Sequence, residues 1–64
     1  MARTYFIKGT GRSKEDLKID VRFYVAKEIS FWQSPVKVLK AYMQEKQEQY
    51  PSLYIDIEAF YRVS

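Results

Sequence analysis

The sequence predicts a two-layer α+β domain, a three-stranded sheet with one helix packed on one face, in the order β-β-α-β. Three observations predict it. Residues 17–25 alternate, with Leu17, Ile19, Val21, Phe23 and Val25 on one side and Lys18, Asp20, Arg22 and Tyr24 on the other. Residues 53–63 alternate in the same way, Leu53, Ile55, Ile57, Ala59, Tyr61 and Val63 against Tyr54, Asp56, Glu58, Phe60 and Arg62. Between these runs Val38, Leu39 and Tyr42 recur at helical spacing. A chain of 64 residues with no internal repeat or linker makes a single domain, residues 1–64, around one small core.

The first strand is expected over Thr4–Lys8, where β-branched and aromatic residues cluster, and Gly9-Thr10-Gly11 reads as the turn that ends it. Residues 9–16 then form a polar loop, longer than a two-residue hairpin turn, with a mobile basic tip. Ser34-Pro35 is the helix start, because a serine oxygen caps free amides and proline at the first helical position gives up a donor that had no partner. A rival start at Ser30, with Gln33 completing a capping box, places Pro35 inside the helix and is disfavoured. Val36 and Met43 flank the apolar stripe, Gln44–Gln49 continues the helix, and Tyr50-Pro51 ends it.

A strand, a helix and another strand fit a crossover, so the second and third strands should run parallel. The first strand, running against both, fits between them, which favours sheet order 2-1-3 over the sequential 1-2-3. One helix covers one face of such a sheet and leaves the other bare.

Composition removes much of the usual catalytic repertoire. Cys and His are both zero, so thiolate nucleophiles, imidazole bases, disulfides and zinc sites with nitrogen or sulfur ligands are excluded. No cofactor is expected. The net charge of +3 arises entirely in residues 1–32, which suits weak attraction to phosphate or an acidic protein surface but falls short of a dedicated duplex binder. No apolar run approaches the ~18 residues of a membrane span, and Met1-Ala2-Arg3-Thr4 leads directly into strand-like residues, so a cytoplasmic chain is expected.

The bare face is the main functional clue. It should carry Lys18, Asp20, Arg22 and Tyr24 from the second strand, Tyr54, Asp56, Glu58, Phe60 and Arg62 from the third, and Phe6 and Lys8 from the first. A protein partner or a second copy of the chain would use Tyr24, Tyr54, Phe60, Arg22 and Arg62, with Arg12 and Lys14 of the loop assisting electrostatically, since Tyr, Phe and Arg anchor protein interfaces. The alternative is nucleic acid, bound by Phe6, Lys8, Lys18, Arg22 and Tyr24 through base stacking and phosphate contacts. The carboxylates on the same face oppose that alternative unless cations pair with them. Phe31 and Trp32 are expected to fold beneath the helix N-terminus and close one end of the core, becoming interface candidates only if exposed. The segment Gly9–Lys14 lacks phosphate-loop spacing, and a magnesium site at Asp56, Glu58 and Asp20 lacks a base and a pocket; both are set aside.

The element order and basic hairpin loop resemble small phage-encoded proteins that bind and block host machinery, such as inhibitors of bacterial RNA polymerase. The similarity spans nearly the whole chain, and no residue motif carries it, so it assigns no site residues. It implies a regulatory or inhibitory role, in line with the non-enzymatic binding role that the composition and the open face suggest. Separately, the unpaired backbone groups of the second and third strands at the sheet edges make homodimerisation a further expectation.

Overall fold

A computed structural model describes residues 2–64. The elements are β1 (Ala2–Ser13), β2 (Ile19–Ser30), α1 (Pro35–Gln49) and β3 (Leu53–Arg62). The sheet order is β2-β1-β3, with β1 antiparallel to both neighbours, as the alternation and the crossover argument predict. Ser34 caps α1, its Oγ accepting from the Lys37 amide at 3.5 Å, and Pro35 occupies the first turn. The helix closes where the Tyr50 amide donates to the Lys46 carbonyl at 2.9 Å.

β1 and β2 are longer than the sequence suggests. Gly9-Thr10-Gly11 is no turn: both glycines are buried inside β1, and neither has a positive φ. They are needed for space. A Cβ on Gly9 would lie 2.7 Å from the Phe23 ring and 2.7 Å from the Asp56 carbonyl oxygen, and one on Gly11 would lie 2.7 Å from Val21 and 2.9 Å from Leu53. The central strand is thus thinned so that side chains of both neighbours rest on its backbone.

The reversal lies at residues 14–18 instead. The Ser13 amide donates to the Lys18 carbonyl and the Leu17 amide to the Ser13 carbonyl, both at 2.9 Å, while the Asp16 carboxylate accepts from the Lys18 amide at 3.1 Å. Leu17 and Lys18 therefore belong to the turn rather than to β2, and Leu17 is 57% exposed with φ at 61°. The register shift beside Arg12 leaves Asp20 unpaired and sets Ile19 opposite Arg12, on the side away from the helix.

A second bulge matters more. Lys8 faces Ala59 but Gly9 faces Ile57, so Glu58 is the extra residue, and the alternation of β3 changes phase there. Phe60 lies opposite buried Ile7 and Arg62 opposite Tyr5, which puts both on the helix side, contrary to the expectation that they share the bare face. Tyr61, opposite Phe6, takes the bare side instead. The ladder continues past β3, with the Val63 amide donating to the Thr4 carbonyl at 2.8 Å and the Thr4 amide to the Ser64 carbonyl at 3.3 Å.

The core on the helix side joins Ile7, Phe23 and Tyr42, with Val25, Leu39, Ile55, Ile57 and Phe60 packed around them. Phe23 and Tyr42 meet edge to face at 5.9 Å, and Lys46 Nζ caps both rings at 5.3 and 5.5 Å. Burial, and secondarily Glu45, raises the Tyr42 pKa above its ordinary value. The fifteen-residue helix is about 22 Å long at 1.5 Å per residue, whereas twelve-residue strands extend about 40 Å. The principal extents, 43 × 19 × 13 Å, and a radius of gyration of 12.7 Å, against about 10.7 Å for a compact chain of this length, reflect that mismatch. Among the described residues, no helix is long and apolar enough to cross a membrane.

Two substitutions test this packing by thermal denaturation. Gly9→Ala forces a methyl group into the Phe23 ring and should cost about 1–3 kcal/mol, lowering Tm by roughly 4–8 °C per kcal/mol. Leu17→Gly relieves left-handed backbone strain at an exposed site, partly offset by a freer unfolded chain; a net gain of about 0.5 kcal/mol should raise Tm by roughly 2–4 °C.

Candidate binding face

The face away from the helix is ruled by the ladder. Ala26, Phe6 and Tyr61 form one row across the three strands, Tyr24, Lys8 and Ala59 the next, then Arg22, Thr10 and Asp56, then Ile19, Arg12 and Tyr54. Residues directly opposite share a face, so these rows define which side chains meet.

Phe6 is the hub of an aromatic cluster. Its ring lies 5.5 Å from Tyr61 and 6.3 Å from Tyr24, both in tilted contact. Phe6 is partly buried between them, while Tyr24 is 75% exposed and Tyr61 is 52% exposed. Aromatic pairs of this kind contribute about 0.5–1.5 kcal/mol beyond area burial, so the cluster forms a stable platform with its outer rings in solvent.

The carboxylates that β3 brings to this face are paired, while Glu28 of β2, opposite Thr4, has no ion-pair partner among the described residues. Lys8 Nζ lies 3.8 Å from Glu58, and Arg12 Nε lies 3.4 Å from Asp56. Each pair is surface-exposed and worth about 0–1 kcal/mol to stability, but each also cancels local charge. Thr10, between these pairs and opposite Arg22, is fully buried, and its Oγ1 has no hydrogen-bond partner among the described residues. The Arg22 side chain makes no ion pair among the described residues.

Nearer the turn, Tyr54 is exposed opposite Arg12, with Lys14 Nζ 5.5 Å from its ring centroid. Lys14 Nζ also donates to the Pro51 carbonyl at 3.4 Å, and the Arg12 guanidinium to the Leu17 carbonyl at 3.1 Å. Arg12 is thus a strand residue and Lys14 is tied to the start of β3; neither belongs to a long loop. Lys18, expected on the face, is exposed in the turn.

Of the residues assigned to the face from sequence, Tyr24, Tyr54, Arg22, Phe6 and Lys8 are there. Phe60 is not: it stacks on Tyr5 at 5.3 Å with 21° between ring planes, on the helix side. Arg62 joins it there and donates from Nε to the Ser64 carbonyl at 2.9 Å. Strict alternation groups Tyr61 with Ile55 and Ile57, and no residue type marks Glu58 as a bulge, so only the register puts Tyr61 on this face.

Phe31 and Trp32 depart from expectation too, being 71% and 74% exposed. Because β2 runs on to Ser30, Ile29 fills that end of the core and the connection shrinks to residues 31–34. The Ser30 amide donates to Gln33 Oε1 and the Gln33 amide to the Ser30 carbonyl, each at 2.9 Å. The Arg3 guanidinium donates to the carbonyls of Ser30 and Gln33 at 2.9 and 3.0 Å. Half of the Ser30–Gln33 capping box therefore exists, closing a turn ahead of the helix and holding the two aromatics outward. Trp32 borders a cleft of about 420 Å³ with Gln33, Ser34, Lys37, Val38 and Ala41.

Comparison with protein-family models, with curated proteins and with solved structures finds no match to this chain.

The outward placement of Trp32 is directly measurable, because it is the only tryptophan. Acrylamide should quench native emission nearly as efficiently as emission from the urea-unfolded chain. Trp32→Ala should change stability by less than about 0.5 kcal/mol, against about 3–5 kcal/mol for Phe23→Ala in the core.

Proposed function

We propose that this chain is a non-enzymatic binding protein that regulates or inhibits a macromolecular machine by laying its open sheet face against a protein surface. The observation that carries this reading is the Phe6–Tyr24–Tyr61 cluster, exposed on the one broad face the helix leaves bare. Preassembled rings lose little conformational freedom on docking, and Tyr and Arg are the residue types that dominate interface energetics. Arg22 and Tyr54 extend the patch beyond the cluster.

Electrostatics favour a protein over nucleic acid. Lys8 and Arg12, the central cations, are already occupied by Glu58 and Asp56, so a phosphate backbone meets a nearly neutral surface. Stacking of unpaired bases on Tyr24 and Phe6, with Arg22 and Lys18 at phosphates, is the second reading; the pairing of Asp56 and Glu58 supports it by removing their share of the repulsion that opposes it.

Capture from nuclease-treated bacterial lysate on the immobilised chain tests the first reading. A retained protein that dissociates about tenfold more readily from the Tyr24→Ala, Tyr61→Ala double variant is the expected result. Retention indifferent to both tyrosines, or no retained protein, overturns it. Capture that nuclease abolishes, with oligonucleotide affinity falling steeply as salt rises, transfers the function to the second reading.

A further inference from the structure

The two edges of the sheet are not equivalent. On β3 the bulge at Glu58 interrupts the middle of the strand, a device that spoils an edge as a template for pairing. On β2 the ladder with β1 is regular from Val21 to Ser30, with no proline and no bulge. Among the described residues no strand lies beyond β2, and its outward amides and carbonyls between Val21 and Ile29 have no hydrogen-bond partner. A long regular edge of this kind invites another strand.

The sequence of β2 also suits one particular occupant. When two copies of a strand pair antiparallel about a two-fold axis perpendicular to the sheet, one residue faces its own copy, and residues equally spaced on either side face each other. With the axis at Tyr24, Asp20 faces Glu28, a repulsive pair; at Phe23 or Ala26 no opposite charges meet. With the axis at Val25, Arg22 of each copy faces Glu28 of the other, Tyr24 faces Ala26, and Val21 faces Ile29. Arg22 and Glu28 are exposed on the same face, and neither has an ion-pair partner among the described residues.

We propose that β2 is the interface of a homodimer in which two chains pair edge to edge about Val25, joining their sheets into one of six strands with two Arg22–Glu28 pairs across the seam. The axis is perpendicular to the sheet, so both helices stand on one side and both aromatic clusters on the other. The dimer does not depend on the open-face reading, because the strand edge carries it.

Sedimentation equilibrium of the intact chain over a range of concentrations reads the association. Arg22→Glu and Glu28→Arg should each weaken it about tenfold or more, and the double reversal should restore it, while circular dichroism shows all three folded. The absence of native cysteine gives a second readout. Facing residues in an antiparallel pair lie about 4.5–5.5 Å apart at Cα, within disulfide reach. Val25→Cys should therefore oxidise to a covalent dimer faster than Tyr24→Cys or Ala26→Cys. A chain that stays monomeric at every concentration, a double reversal that fails to recover, or preferential cross-linking at position 24 or 26 overturns the proposal.

Discussion

The contact on which the architecture rests is the Phe23 ring lying on the bare backbone of Gly9. A side chain on the central strand would hold the ring off by a methyl group's width, and the same absent atom lets the Asp56 carbonyl approach from the other neighbour. Phe23 in turn carries Tyr42, the buried residue of the helix, with Lys46 capping both rings. Strand, ring and helix are thus stacked on a residue that contributes no side chain of its own. A chain of this length buries only ~60% of its unfolded surface, so few contacts must hold the helix in place.

The bulge at Glu58 divides β3 into two functional phases. Ahead of it Ile55 and Ile57 serve the core; beyond it Phe60 takes over that role and releases Tyr61 to the other side. The bulge thereby exchanges a phenylalanine for a tyrosine on the open face, leaving a ring with a polar edge toward solvent. It also brings Glu58 within 3.8 Å of Lys8, so one irregularity sets both the aromatic content and the charge of that face.

The fold was legible in the sequence because its determinants are periodic: the strand alternation, the Ser34-Pro35 helix start and the crossover order survive into the structure. What could not be read was set by tertiary contacts. Gly9 and Gly11 look like turn residues until Phe23 and Leu53 are found against them, and Leu17 looks like a strand residue until the turn claims it. Alternation alone puts Tyr24, Tyr54, Phe6, Arg22 and Lys8 on the open face, whereas the sides of Phe60, Arg62 and Tyr61 depend on a phase change that no residue type announces. Phe31 and Trp32 looked like core because a small domain needs its large side chains, yet Ile29 had already filled the space.

The last rungs of the ladder tie Thr4 to Val63 and Ser64, so β1 begins and β3 finishes at one pole while the 14–18 turn occupies the other. A force applied between those two tethering points acts across antiparallel neighbours whose hydrogen bonds lie perpendicular to the strands. The load falls on one bond at a time, as in opening a zip, and never shears the whole row together. Under tension the domain therefore peels from that pole inward at low force, separating β1 from β3 before the pull reaches the turn.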